Sequence, residues 1–165
     1  MNFKKIFYFL IVIVFLCFLV FLFFNEKEKN ISQIKQEESI KYVKIGEKTI
    51  KVEVADTAEL QEKGLSGRKY LGEDEGMLFV FKNYDKYPFW MKNMNFAIDI
   101  IWLAPQEAGL DQNLKVVDIK KDALLESYPE SFFPSENAKY VLEVPAGFSE
   151  KNNLKVGDSA SFLTF

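Results

Sequence analysis

The sequence predicts a mostly β domain, a small sandwich or partly closed barrel with one short helix, preceded by one transmembrane helix. Three observations predict it. An uninterrupted run of 19 apolar or aromatic residues extends from Ile6 to Phe24. After Ile40, short apolar or alternating runs follow one another, punctuated by Gly, Pro, Asn and Asp. Within that region a single short stretch, Thr57–Lys63, carries helix start and stop signals. Many short strands with one helix suit a sandwich or a barrel.

The apolar run is long enough to cross a bilayer. At about 1.5 Å per residue it spans roughly 28 Å, against roughly 30 Å of hydrocarbon. A cleaved signal peptide has a shorter apolar core, about 7–15 residues, that ends in small residues. This run ends Phe-Leu-Phe-Phe-Asn-Glu. Cys17 is a poor lipidation site, because bulky Leu16 precedes it and seven apolar residues follow. The expected organisation is a cytoplasmic tail at 1–5, an uncleaved signal-anchor at 6–24, a charged linker at 25–39 and a globular domain at 40–165. Lys4 and Lys5 favour an N-terminus held inside; Lys27, Lys29 and Lys35 oppose it, diluted by Glu26 and Glu28. The expected location is the cell membrane, single-pass, engaged through 6–24, with the domain on the extracytoplasmic side. The linker reads as a solvated tether of roughly 20 Å root-mean-square reach.

Within the domain, Tyr42–Ile45 and Thr49–Ala55 read as strands around a Gly46-Glu47 turn, since Ile50, Val52 and Val54 alternate with Lys51, Glu53 and Ala55. Asp56 is placed to cap the helix, with Glu59 three residues on and Gly64 at its exit. Further strands are expected at Met77–Phe81, Phe89–Lys92, Ile98–Leu103, Val116–Lys120, Tyr140–Val144 and Ser159–Thr164.

Two absences restrict the chemistry. The chain has no histidine, and its single cysteine, Cys17, is inside the apolar run. That removes the commonest general base, any thiolate nucleophile or disulfide in the domain, and a Cys/His zinc site. A catalytic triad and a thiol-redox enzyme are excluded, and no cofactor is expected. No loop alternates Asp and Asn as a calcium site requires, so no metal is assigned. The domain carries 16 Lys plus Arg against 20 Asp plus Glu, with nothing basic concentrated on one stretch, so no nucleic-acid partner is expected.

Around Asp56 and beyond, a series of blocks stands in order: VEVADT at 52–57, GL-x-x-R at 64–68, DEGMLFVF at 74–81, FWMKN at 89–93, Asp99, YVLEVPAG at 140–147 and LKVGD at 154–158. Together they resemble the bacterial and archaeal family called domain of unknown function 192. The resemblance implies a compact, mostly β fold, often exported or anchored, and no established activity. The chain departs from the family pattern at Ser66, where Met is usual, and at Met94 and Ala97, where Thr and Pro are common. The first two departures border the expected pocket.

Five residues are candidates for ligand binding. Arg68 is the only arginine beside 20 lysines. It reads either as an anion clamp or as a bidentate brace to an internal carboxylate such as Asp74, Glu75 or Asp99. Strand alternation puts Phe89 and Met91 on one face and Trp90 and Lys92 on the other. Trp90 and Lys92 line a groove in one reading; in the other, Trp90 completes a core while Lys92 snorkels. Asn93 ends that strand and Asp99 starts the next. Asp56, Asp74, Asp99 and Glu143 are acids within the matched blocks, and two of them could form a glycosidase-like pair.

The leading reading is a non-catalytic extracytoplasmic module that binds a small anionic ligand, a glycan or an envelope protein, with no catalytic residue assigned. The alternatives are a histidine-free hydrolase or lyase acting on a glycan through paired carboxylates, and a structural subunit of an envelope assembly.

Overall fold

The computed structural model describes residues 13, 15, 16, 18–27, 41–107 and 112–163. The chain separates into two units, 1–38 and 39–165. In the first, residues 18–27 are helical, so the helix takes in 25–27, which the sequence reading gave to the linker. Among the described residues no helix is long and apolar enough to cross a membrane. The tail at 1–5, part of the 6–24 span and the tether from residue 28 on lie outside the described residues.

Among the described residues of the second unit nine strands form: β1 (Tyr42–Ile45), β2 (Lys48–Ala55), β3 (Glu75–Asp85), β4 (Phe89–Trp90), β5 (Ile98–Pro105), β6 (Asn113–Ala123), β7 (Ser131–Phe132), β8 (Ala138–Pro145) and β9 (Ser159–Leu163). Seven of them close into a barrel in the order β1-β2-β3-β8-β5-β6-β9, while β4 and β7 pair separately. The sandwich alternative is thereby set aside, and the barrel is closed rather than partly open. Closure comes from β9, which pairs with β6 through Leu114 opposite Ala160 and with β1 through Val43 opposite Phe162. No barrel edge remains for another chain to extend.

Barrel neighbours are antiparallel except β2 and β3, which run parallel with Val52 opposite Gly76. Parallel neighbours need a crossover, and this one carries the helix α1 (Ala58–Lys63). Its cap is Thr57, whose Oγ1 accepts from Leu60 N at 3.2 Å, and not Asp56 as the sequence suggested. The capping hydroxyl sits one residue closer to the first helical turn, where extended backbone at Thr57 aims it at the free N–H. A second helix, α2 (Phe148–Lys151), was not foreseen; four residues are too few to show a period.

Two apolar layers share the barrel wall. Val43, Ile50, Leu78, Ile101 and Leu142 fill the interior. Met77, Phe79, Ile100, Trp102 and Val141 point outward, beneath Leu65, Phe89, Met91 and Phe132 from the connecting segments. Strands β5 and β8 are therefore buried on both faces, which is why they read as continuous apolar runs without alternation. Trp102 belongs to this outer layer and its Nε1 donates to Tyr87 O at 3.1 Å.

Candidate ligand-binding site

The outer layer leaves a cleft of about 250 Å³ beside α1. Gln61 fixes that helix to the wall by donating from Nε2 to Ala55 O at 3.2 Å, at the end of β2, and to Val80 O at 2.7 Å, midway along β3. Opposite stand the aromatic residues Phe79, Phe81, Tyr87 and Phe89, with Trp90 at the rim. They brace one another: Phe81 stacks on Tyr87 at 3.6 Å between ring centroids, and Phe89 meets Phe79 edge-on at 4.8 Å.

One acid lines this otherwise apolar wall from within the sheet. Glu143 is only 5 % exposed, and its Oε2 has no hydrogen-bond partner. Among the described residues the other such buried atom is Ser149 Oγ. Burial pushes the Glu143 carboxyl up to about 8, against a smaller downward pull from Arg68. The acid is thus neutral near pH 7. The register explains its position. Met77 lies opposite both Glu53 on β2 and Glu143 on β8, and Glu143 also faces Ile100 on β5. Glu53 and Glu143 thereby share one outward row, two strands apart, or roughly 10 Å between backbones.

Arg68 reaches this row. Its Nη1 donates to Glu53 Oε1 at 2.6 Å and its Nη2 donates to Oε2, a bidentate bridge. The partner is Glu53, not Asp74, Glu75 or Asp99 as expected. Glu53 stands 15 residues before Arg68 on the exposed face of β2, and nothing in the local sequence marks it as the partner.

The segments at 64–68 and 91–95 are laced together. Ser66 Oγ donates to Lys92 O at 2.9 Å, Gly67 N to Asn93 O at 2.9 Å, and Asn95 Nδ2 to Arg68 O at 2.8 Å. The backbone at Arg68 is therefore held beside that at Lys92 and Asn93. Asn93 takes a left-handed turn, φ 57°, which asparagine tolerates better than most residues. Lys92 and Asn93 point to solvent, and neither lines the cleft. Phe89 and Met91 are buried while Trp90 is 43 % exposed, so the alternation read from sequence is observed. The strand itself ends at Trp90, two residues early. Ser66 and Met94, two positions of departure from the family pattern, both line the cleft.

Asp99 lies apart from this group. It alternates with Ile98 and Ile100, which face outward, and so shares the inner side with Ile101. Both its oxygens are occupied: Oδ1 accepts from Asp122 N at 2.9 Å and Gly147 N at 3.3 Å, and Oδ2 from Ser149 N at 2.7 Å. Asp99 holds the loop that leads into α2. Among the described residues no cluster of three or more acids, His or Cys is arranged to hold a metal.

Solved structures of similar fold exist. A protein of unknown function from Novosphingobium aromaticivorans DSM 12444 is 30% identical, with a TM-score of 0.65 over 74% of this chain and 84% of that one. A candidate transcription regulator from Sinorhizobium meliloti 1021 is 28% identical, with a TM-score of 0.62 over 69% of this chain and 82% of the other. Among curated proteins none matches. The family model DUF192, described as "Uncharacterized ACR, COG1430", matches residues 41–162, nearly the whole barrel domain. The chain belongs to the DUF192 family.

Proposed function

We propose that this chain is a membrane-tethered binding module whose barrel domain, held outside the cytoplasm, captures a small ligand in the cleft above Glu143. The supporting observation is the Glu143 carboxyl, buried, without a partner at Oε2 and lining an aromatic-walled cleft. Folded proteins rarely leave a buried polar atom unmatched, because the lost hydration costs about 1–3 kcal/mol. A ligand that satisfies this oxygen recovers that energy on binding. An anion at Arg68 would first have to displace Glu53 from both arms of the guanidinium, so recognition is assigned to Glu143 rather than Arg68. A role on nucleic acid, suggested by the description of one solved relative, fits poorly with a domain of 16 basic and 20 acidic residues.

The test is a thermal-shift screen of the full chain in detergent micelles against envelope metabolites and glycan fragments. A ligand present at 100 times its Kd stabilises the fold by about 2.7 kcal/mol. The shift should vanish in Glu143→Gln and weaken in Trp90→Ala; a screen without any such shift overturns the proposal. Resistance to carbonate extraction tests the tether.

A second reading draws on the shared row of Glu53 and Glu143. The bridge to Arg68 lowers the Glu53 carboxyl, while burial raises Glu143. Two acids driven apart in this way are the arrangement that divides acid and base roles in carboxylate hydrolases. Turnover of a glycan fragment that is lost in both Glu53→Gln and Glu143→Gln would favour this reading over simple binding.

A further inference from the structure

Resting on that binding reading, we infer that the cleft takes a small organic cation, an aryl- or alkylammonium ion, with Glu143 as its counter-ion and the aromatic wall as its seat.

The charges around the cleft lead to this class. Arg68 is tied to Glu53 through both arms. At the rim, Glu62 and Lys63 of α1 oppose each other in sign. Glu75 acts on the same guanidinium from β3, and Lys92 points away to solvent. Glu143 is the acid buried in the wall, with a Coulombic pull from Arg68 but no partner at Oε2. An anionic ligand would meet acids and an already bridged guanidinium. A cation would give the Glu143 carboxyl, once ionised, the counter-ion that the cleft does not otherwise bring to Oε2.

The wall supports the same class. Trp90, Tyr87 and Phe81 present ring surface, and a cation within about 6 Å of such a face is attracted by the ring quadrupole. Size restricts the ligand further. A dry cavity of about 150 Å³ takes up benzene, so about 250 Å³ admits one ring with a short amine arm.

Cation binding would ionise Glu143 and release its proton. Burial holds that carboxyl at about 8 in the empty cleft, so the released proton couples affinity to pH below that value. A neutral ligand that accepts a hydrogen bond from protonated Glu143 would show the opposite trend, weakening as pH rises through the same value.

The test compares three panels on the full chain by calorimetry: phenethylammonium, benzylammonium and tetramethylammonium; 2-phenylethanol and benzyl alcohol; phenylacetate and benzoate. The expected result is binding confined to the cations, tightening about tenfold per pH unit between pH 6 and 8 and then levelling. Heats measured in buffers of different ionisation enthalpy should show one proton released. Glu143→Gln should lose the affinity and the pH dependence, and Trp90→Ala should lose affinity while keeping the dependence. If alcohols or acids bind and cations do not, the cation assignment is overturned and the binding reading stands. If no panel binds, the cation assignment is overturned, and the binding reading falls only if the thermal-shift screen is also silent.

Discussion

Glu53 and Glu143 lie on one outward row of the barrel, each opposite Met77, yet their carboxyls are driven in opposite directions. The Arg68 bridge holds Glu53 below the usual carboxylate range, with a partial offset from burial. Burial holds Glu143 at about 8, with only a distant opposing pull from Arg68. One arginine therefore serves the exposed acid and leaves the buried one unmatched.

This arrangement sets how stability depends on pH. The folded chain keeps a proton on Glu143 that the unfolded chain releases near pH 4.3, so between those pH values the folded state binds more protons. Stability should fall as pH rises from about 5 to about 8, at up to about 1.4 kcal/mol per pH unit from this group, and then level. Glu143→Gln should remove that slope and be the more stable protein at pH 8.5. Urea midpoints of both proteins at pH 5.5, 7 and 8.5 provide the check. Parallel slopes in the two proteins would show that Glu143 does not titrate as described.

The Arg68–Glu53 bridge should contribute little to stability despite its geometry. The Arg68 side chain is 32% exposed and that of Glu53 63%, and pairs so open to water contribute at most about 1 kcal/mol. Arg68→Lys, which keeps the charge and loses the fork, should cost less than about 1 kcal/mol. Since the Glu53 carboxyl is lowered on folding, its contribution is complete above the ordinary carboxylate range and disappears as pH falls below it. Arg68→Gln should also move the upper end of the Glu143 pH slope upward, because the pull that opposes burial is gone. Urea titrations across the pH range check both effects.

How much of this could be read from the sequence follows from the range of the forces involved. Strands with alternating residues, such as Ile50, Val52 and Val54 on β2, announce themselves locally. The blocks around Arg68, Lys92 and Asn93 are joined instead by bonds between residues 26 and 27 positions apart. Closure of the barrel depends on β9 finding β1 across more than a hundred residues, and no local pattern encodes that pairing. The same holds for the Glu53 partner of Arg68, set by the register of a parallel pair. Glu143 did carry a signal: an acid inside the apolar run Tyr-Val-Leu-Glu-Val belongs on a strand buried on both faces. Asp99 shows the reverse case, an acid in a matched block whose oxygens serve backbone N–H groups.

Asp99→Asn should be strongly destabilising without touching the cleft. The side chain is fully buried and accepts from three backbone donors, and an amide can present only one oxygen to them. Leaving a buried N–H unmatched, with loss of the ionic character of the remaining bonds, should cost about 2–4 kcal/mol. Denaturant unfolding reads the loss. Hydrogen exchange should quicken at Asp122, Gly147 and Ser149 before it does elsewhere in the barrel.

Gly76 on β3 tests the spacing that puts Glu143 in the cleft. A Cβ built there would stand 2.7 Å from Glu143 O, 3.1 Å from Ile50 Cγ2 and 3.3 Å from Leu142 Cδ1. The nearest atom is backbone, so it cannot yield by changing rotamer. Replacing a strand glycine with alanine ordinarily gains about 0.5–1 kcal/mol from reduced chain entropy. Here overpacking should reverse the sign, and Gly76→Ala should cost about 1–3 kcal/mol. Gly46 is the natural control, because its Cβ would meet no atom within 4 Å while its φ of +55° still disfavours alanine. Gly46→Ala should therefore cost about 1 kcal/mol, as expected for moving a side chain into left-handed backbone. The two variants differ in consequence as well as size. Moving β8 at Glu143 O shifts the carboxyl, so the pH slope assigned to Glu143 should change in Gly76→Ala and stay intact in Gly46→Ala. Equal costs with unchanged slopes in both would show that β3 and β8 have slack at this point, and that the position of Glu143 is not set by its close approach to Gly76.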